Sequence, residues 1–231
     1  MTGAGGTLAR FLLISTYKTR EGFCNVPMPR HPSIVLASAS PRRREMLARV
    51  GLEFQVVPST VKETILSGES PEQHVLRLSE AKAREVSSRG TVPSRWVIGS
   101  DTIVVRDAEI LGKPVDADAA ASMLRSLSGR AHRVISGYAV LDRQSGEVRS
   151  AAVTTRVCFK QLTEAEIGEY IASGEPFDKA GAYAIQGIGA FMIPRIEGSY
   201  TNVVGLPLCE VIATLEEMGA WRLAVRPIHP D

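Results

Sequence analysis

Ser33-Ile34-Val35-Leu36-Ala37-Ser38-Ala39-Ser40-Pro41-Arg42-Arg43-Arg44-Glu45-Met46-Leu47-Ala48-Arg49-Val50-Gly51 decides the fold class. Ser33 to Ala37 reads as a short apolar strand. Ser38-Ala39-Ser40-Pro41 then turns directly into a helix. Ser40 has the side chain of an N-cap, and Pro41 suits the first helical position, where its missing N–H costs nothing. The helix should reach about Val50, and Gly51 closes it. A strand feeding a helix through four small residues is the unit of an α/β protein.

The same stretch carries the first chemical signal. A helix N-terminus presents unpaired N–H groups and the positive end of the helix dipole. Arg42 and Arg43 add forked donors that match phosphate oxygens. The plainer reading is a capped helix with solvated arginines. Neither GxxxxGK[ST] nor GxGxxG occurs, so a P-loop and a dinucleotide fingerprint are both excluded as explanations.

Outward from this unit, Phe54 to Val57 reads as a strand. Ser70-Pro71 repeats the cap signature before a helix to about Ser88, with Val75, Leu78 and Ala81 at helical spacing. Trp96 to Val105 is a strand, interrupted at Gly99-Ser100-Asp101. Asp116 caps a helix over about 117–127, which Ser128-Gly129 ends. Val134 to Leu141 and Val148 to Phe159 are strands joined by the turn Gln144-Ser145-Gly146. Thr163 and Glu166 form a capping box for a helix ending at Gly174. Residues 175–206 are glycine-rich and lack a period, so they read as functional loops. Pro207 opens a last helix to about Met218. The expected fold is α/β, with a mixed, partly antiparallel sheet flanked by helices. Residues 1–30 are expected to be a flexible extension, with Met28 as an alternative start. Residues 31–222 form the body and 223–231 a tail.

Bulk properties narrow the function. The chain has 231 residues, 44% of them hydrophobic, which supports a sizeable core. The net charge of +2 is too small for a protein that neutralises a long run of nucleic-acid phosphates. Its one dense basic cluster, Arg42-Arg43-Arg44, suits a small polyanion. Cys24, Cys158 and Cys209 are far apart and show no CxxC spacing, so neither a disulfide framework nor a zinc knuckle is expected. No apolar run approaches the roughly 20 residues that span a bilayer. Reduced thiols and the lack of a signal-peptide pattern point to the cytoplasm.

Further residues could carry chemistry. Asp101, in Gly99-Ser100-Asp101-Thr102, is a carboxylate in an otherwise apolar strand. Such a group is costly unless used or paired, and it could hold a divalent cation and help activate water. Lys82, Lys113 and Lys179 could join the arginines around a triphosphate, although each alone reads as a surface lysine. His132 reads as a structural histidine. Tyr183 and Tyr200 could stack on a base or simply pack.

Taken in order, these segments closely resemble the Maf family of nucleotide pyrophosphatases. The resemblance begins with Leu36-Ala37-Ser38-Ala39-Ser40-Pro41-Arg42-Arg43. It continues through Glu80-Ala81-Lys82-Ala83, Gly99-Ser100-Asp101-Thr102, Leu111-Gly112-Lys113-Pro114 and Gly174-Glu175-Pro176-Phe177-Asp178-Lys179-Ala180-Gly181. Ile185-Gln186-Gly187, Glu197-Gly198-Ser199-Tyr200 and Val204-Gly205-Leu206-Pro207 complete it. It covers roughly residues 33–219.

The resemblance implies an elongated fold with two lobes around a deep nucleotide-binding cleft. It implies hydrolysis of dTTP and UTP, or of modified pyrimidine nucleotides, to monophosphate and pyrophosphate. The cofactor implied is a divalent cation, magnesium or manganese. Asp101 matches the proton acceptor and, with Glu63, a metal ligand. Arg42, Thr102 and Gln186 match positions linked to base selectivity; a branch that prefers methylated GTP typically carries Gln at the position of Thr102. Ser38, Arg43, Lys82, Lys113 and Lys179 match positions around the phosphates. One departure is the stretch Ser59-Thr60-Val61-Lys62-Glu63-Thr64, where Thr60 and Lys62 replace acids common in the family. The competing readings are a pyrophosphatase for modified purine nucleotides and a non-catalytic nucleotide- or nucleic-acid-binding regulator of cell division. The expected partner is the nucleoside triphosphate, with neither a membrane nor a stable nucleic-acid partner. A homodimer is left open.

Overall fold

A computed structural model describes residues 14–19, 22–27, 33–90 and 94–222. Within the segment expected as an extension, β1 (Ile14–Thr19) and β2 (Gly22–Pro27) pair antiparallel in a two-stranded sheet of their own.

The main sheet has seven strands. They are β3 (Ile34–Leu36), β4 (Gln55–Val56), β5 (Trp96–Arg106), β6 (Glu109–Leu111), β7 (Ala131–Asp142), β8 (Val148–Cys158) and β9 (Arg195–Glu197), in the order β4-β3-β5-β7-β8-β9, with β6 also on β5. β3 runs parallel to β4 and to β5, and the remaining pairs are antiparallel. The sheet is therefore mixed, as the α/β reading expected.

The helices start where local chemistry directs. In α1 (Pro41–Arg49) the Ser40 hydroxyl accepts from the Arg43 N–H. α2 (Pro71–Ser87) and α4 (Glu164–Ala172) each begin with a full capping box, Ser70 with Gln73 and Thr163 with Glu166. Asp116 caps α3 (Ala117–Leu127). α6 (Leu208–Glu217) follows Pro207.

Two expectations need correction. β5 is not interrupted at Gly99-Ser100-Asp101; these residues pair in unbroken register with Ala139, Tyr138 and Gly137 of β7. The glycines serve a different purpose. A Cβ on Gly99 would sit 2.1 Å from the Ser79 carbonyl, and one on Gly137 2.4 Å from the Val75 carbonyl. Both glycines thus let the backbone of α2 lie directly on the sheet. In addition, residues 175–206 are not purely irregular: they hold β9 and α5 (Tyr200–Val204) among three short 3-10 turns.

Alternation along the central strands puts helices on both faces. Ile34, Leu36, Trp96, Ile98, Tyr138 and Val140 pack with Met46 and Leu47 of α1 and with Val211 and Leu215 of α6. Val35, Val97 and Ala139 pack with Ala83 and Val86 of α2 on the other face. Farther along β5 and β7, Val104 and Val134 join a second core with α3 and α4, through Leu124, Leu127, Ile167 and Tyr170. Between these two cores, the same alternation places the polar pair Thr102 and Ser136. β3 covers the edge of β5 at residues 96–98, and β6 covers it at 104–106. Residues 99–103 have no strand neighbour on that edge among the described residues, and the functional cavity opens there.

Candidate active site

A cavity of about 400 Å³ lies against this uncovered edge, bounded by the turn into α1, α2, the loop around Lys113 and segments 178–186 and 203–205. It brings together the ten residues that the family resemblance pointed to: Ser38, Arg42, Arg43, Glu63, Lys82, Asp101, Thr102, Lys113, Lys179 and Gln186. Their environments differ sharply.

Arg43 is a structural hub. Its guanidinium is buried, and four of its five N–H donors are engaged by the protein. Nε donates to the Gly205 carbonyl at 2.7 Å, one terminal nitrogen donates to Ser38 Oγ at 3.1 Å and the Ser100 carbonyl at 2.8 Å, and the other donates to Thr102 Oγ1 at 3.0 Å. Burial lowers its pKa, opposed by the charges of Asp101 and Glu63. The first turn of α1 is thereby tied to β5 and to the loop after α5. Thr102 belongs to the same network. Its hydroxyl accepts from Arg43, lies 2.8 Å from Ser136 Oγ and donates to the Gly205 carbonyl at 3.1 Å. Ser136 in turn donates to the Asn202 carbonyl. Thr102 thus has no hydroxyl proton to spare for a ligand in this arrangement.

The second cluster is ionic. Lys82, buried on α2, donates to Glu63 Oε1 at 2.6 Å and to Asp101 Oδ1 at 2.7 Å. Burial alone would raise the Glu63 pKa; Lys82, Lys113 and Arg43 outweigh it and hold the carboxyl below its usual range. Asp101 Oδ2 has no hydrogen bond among the described residues. Two carboxylates converge here, and no group of three or more His, Cys, Asp or Glu forms a metal cluster among the described residues. Two carboxylates facing an anion site still fit magnesium, which keeps waters and takes its other ligands from phosphate oxygens.

The third group also lines the cavity. Arg42 reaches Asp178 at 3.5 Å. Lys179 donates to the Glu175 carbonyl at 2.6 Å and also pairs with Asp178. Lys113 is exposed, and Gln186 is half-buried; neither side chain has a hydrogen-bond partner among the described residues.

The aromatic candidates separate. Tyr183 lines the cavity, but its hydroxyl meets His132 Nε2 at 2.6 Å, and its ring stands edge-on to His132 and Phe159. His132 is buried, and burial pushes its pKa down to about 4, so it is neutral near pH 7. Tyr200, 47% exposed, lies outside the lining. Ser136, Asn202 and the carbonyls of Ser100 and Gly205 were not foreseen from sequence. Ser100 and Gly205 carried a signal, as parts of Gly99-Ser100-Asp101-Thr102 and Val204-Gly205-Leu206-Pro207.

The fold and cavity define the class: a mixed α/β protein with a cavity of clustered cations and two convergent carboxylates. The chain belongs to the Maf-like protein family, whose family model matches residues 33–218. A relative named dTTP/UTP pyrophosphatase in Syntrophotalea carbinolica is 66% identical over 199 residues, covering 86% of this chain and 90% of its own length. Relatives of the same name in Geotalea uraniireducens and Myxococcus xanthus are 55% and 50% identical, covering 84% and 82% of this chain and 98% and 95% of their own lengths.

Proposed function

We propose that this chain is a nucleoside triphosphate pyrophosphatase that hydrolyses dTTP and UTP to the monophosphate and pyrophosphate, removing unwanted nucleotides from the cytoplasm. The observation that carries this reading is the Glu63–Lys82–Asp101 cluster, set in a cavity that Lys113 and Gln186 also line, neither with a hydrogen-bond partner among the described residues. Relatives named for this activity match most of the chain. Free Cys158 and Cys209 suit a reducing compartment. No helix among the described residues is long and apolar enough to cross a membrane.

Each group then has a task. Ser38 and the α1 N-terminus, held in place by Arg43, face the phosphates. Lys113 and Lys179 offset the charge of the triphosphate, which rises on its oxygens as water attacks. Asp101 Oδ2 orients a water toward the α-phosphorus and accepts its proton, while Lys82 fixes the carboxylate through Oδ1. A divalent cation, magnesium or manganese, held by Asp101 and Glu63, would supply further neutralisation at the phosphate oxygens. Gln186 presents an amide donor and a carbonyl acceptor to the carbonyl–NH–carbonyl edge shared by uracil and thymine. Arg42 closes the base end, and Thr102 acts on selectivity through the Arg43 network. The test is chromatography of the products from dTTP, UTP and CTP with magnesium or manganese. dTMP and UMP with pyrophosphate are expected, and CTP should be poor. Diphosphate with inorganic phosphate would overturn the reading.

A further inference from the structure

Glu175 is absent from the cavity lining, yet it organises the segment that carries Gln186. Its Oε2 accepts from the Ile188 N–H at 2.9 Å. Its Oε1 accepts from the Gly189 N–H at 3.0 Å and from the Tyr170 hydroxyl at 3.0 Å. Tyr170 is 2% exposed and belongs to the core beside Tyr183, so the carboxylate fastens the turn to a fixed point. Gly187 makes the wrap achievable. Its φ is +84°, and a Cβ there would lie 2.5 Å from Glu175 Oε2. Apolar burial anchors this segment at its far end, through Met192 at 1% exposed, while Ile188 next to Gly187 is 56% exposed and leaves the near end to the carboxylate. Burial alone would raise the Glu175 pKa, but the N–H groups of Gly189 and Ile188, the Tyr170 hydroxyl and Lys179 hold it below the carboxylate range. The backbone carbonyl of the same residue accepts from Lys179 Nζ at 2.6 Å. One residue therefore braces a lysine assigned to the phosphates and the turn that follows the glutamine assigned to the base.

We propose that Glu175 is a positioning residue for base selection, its carboxylate clamping turn 187–189 so that the Gln186 amide meets the pyrimidine edge. This rests on the reading that Gln186 reads the base. Glu175 touches no substrate atom; it acts by restricting where Gln186 can point. A loosened turn should cost selectivity first, because the phosphate-facing groups keep their own anchors. A displacement of about 1 Å in a positioned group can cost up to about a hundredfold. Partial loosening should therefore show as about tenfold.

The experiment measures kcat and KM for UTP and CTP in wild type, Glu175→Ala, Glu175→Gln, Gln186→Ala and the Glu175→Ala/Gln186→Ala double variant, with melting curves for each. Glu175→Ala should lower the UTP-to-CTP ratio of kcat/KM about tenfold, mainly through a higher KM for UTP. Glu175→Gln should fall between, because its amide oxygen can still accept one of the N–H bonds. It also reports if the alanine variant does not fold. In the Gln186→Ala background, Glu175→Ala should change the ratio by less than about twofold, because the two residues act as one unit. If Gln186→Ala lowers the ratio while both Glu175 variants leave it unchanged, the positioning role is overturned and the base-reading role survives. If Gln186→Ala leaves the ratio unchanged, the reading beneath the inference fails, and the inference with it. A melting loss in the Glu175 variants with an intact ratio would show a purely structural carboxylate and overturn the proposal.

Discussion

Two arginine-and-lysine settings in one cavity behave as opposites. Around Arg43, donors and acceptors are matched: Ser38, Ser100, Thr102 and Gly205 take nearly every N–H. Elsewhere in the lining, Lys113 and Gln186 have no hydrogen-bond partner among the described residues. A buried polar group without a partner costs free energy, so matched networks build the scaffold. Groups left exposed and unmatched at a cavity are available to a ligand. The position of a residue in a motif does not separate these cases: Arg42 and Arg43 are neighbours, yet one reaches across the cavity mouth and the other is locked inside.

The Glu63–Lys82–Asp101 cluster falls between the two, being paired but only through one oxygen of Asp101, and it should show the largest effect. Asp101→Asn should reduce turnover at least about a hundredfold, in line with loss of a general base. Its melting temperature should also fall, because Lys82 keeps only Glu63 as an ionic partner. Steady-state kinetics with a melting curve checks both, and near-wild-type turnover in the folded variant would remove Asp101 from the mechanism.

Arg43→Lys breaks the matched side. A lysine retains the charge but not the planar fork, leaving several carbonyl and hydroxyl acceptors unmet. A stability loss of about 2–4 kcal/mol is expected from denaturant titration. A stable variant with a selectively raised substrate KM would mean instead that Arg43 acts directly on the ligand.

His132 sharpens the comparison through pH. Its folded pKa, about 4, is depressed by burial from the usual 6.5. The unfolded chain therefore binds the proton first as pH falls, and the fold loses stability between about pH 6.5 and 4. The full loss is on the order of 3 kcal/mol. Melting curves across that window should flatten in His132→Phe; an unchanged slope would place the pH sensitivity elsewhere.

Lys113→Ala should give the smallest structural effect. The side chain is exposed and has no hydrogen-bond or ion-pair partner among the described residues, so the melting temperature should stay put while kcat/KM for UTP falls about tenfold or more. A large melting shift with unchanged kinetics would reverse its place in the comparison.

The sequence read well where the determining contacts are local. Ser40, Ser70, Asp116 and Thr163 each bond to an N–H three residues ahead, so four helix starts could be taken from cap chemistry alone. The convergence of Asp101, Lys82 and Glu63 was legible only through the family resemblance. The role of Arg43 was not legible, because its partners Ser100 and Gly205 lie 57 and 162 residues away. Gly99 was misread as a strand break for a similar reason: what it accommodates is the distant backbone of α2. β9 and α5, with three and five residues, are too short to show a period.

The proposed mechanism requires water to attack the α-phosphorus. Hydrolysis of dTTP in heavy-oxygen water, followed by mass spectrometry of both products, tests it directly. One heavy oxygen is expected in dTMP and none in pyrophosphate; label in the pyrophosphate would place the attack on the β-phosphorus and overturn this mechanism.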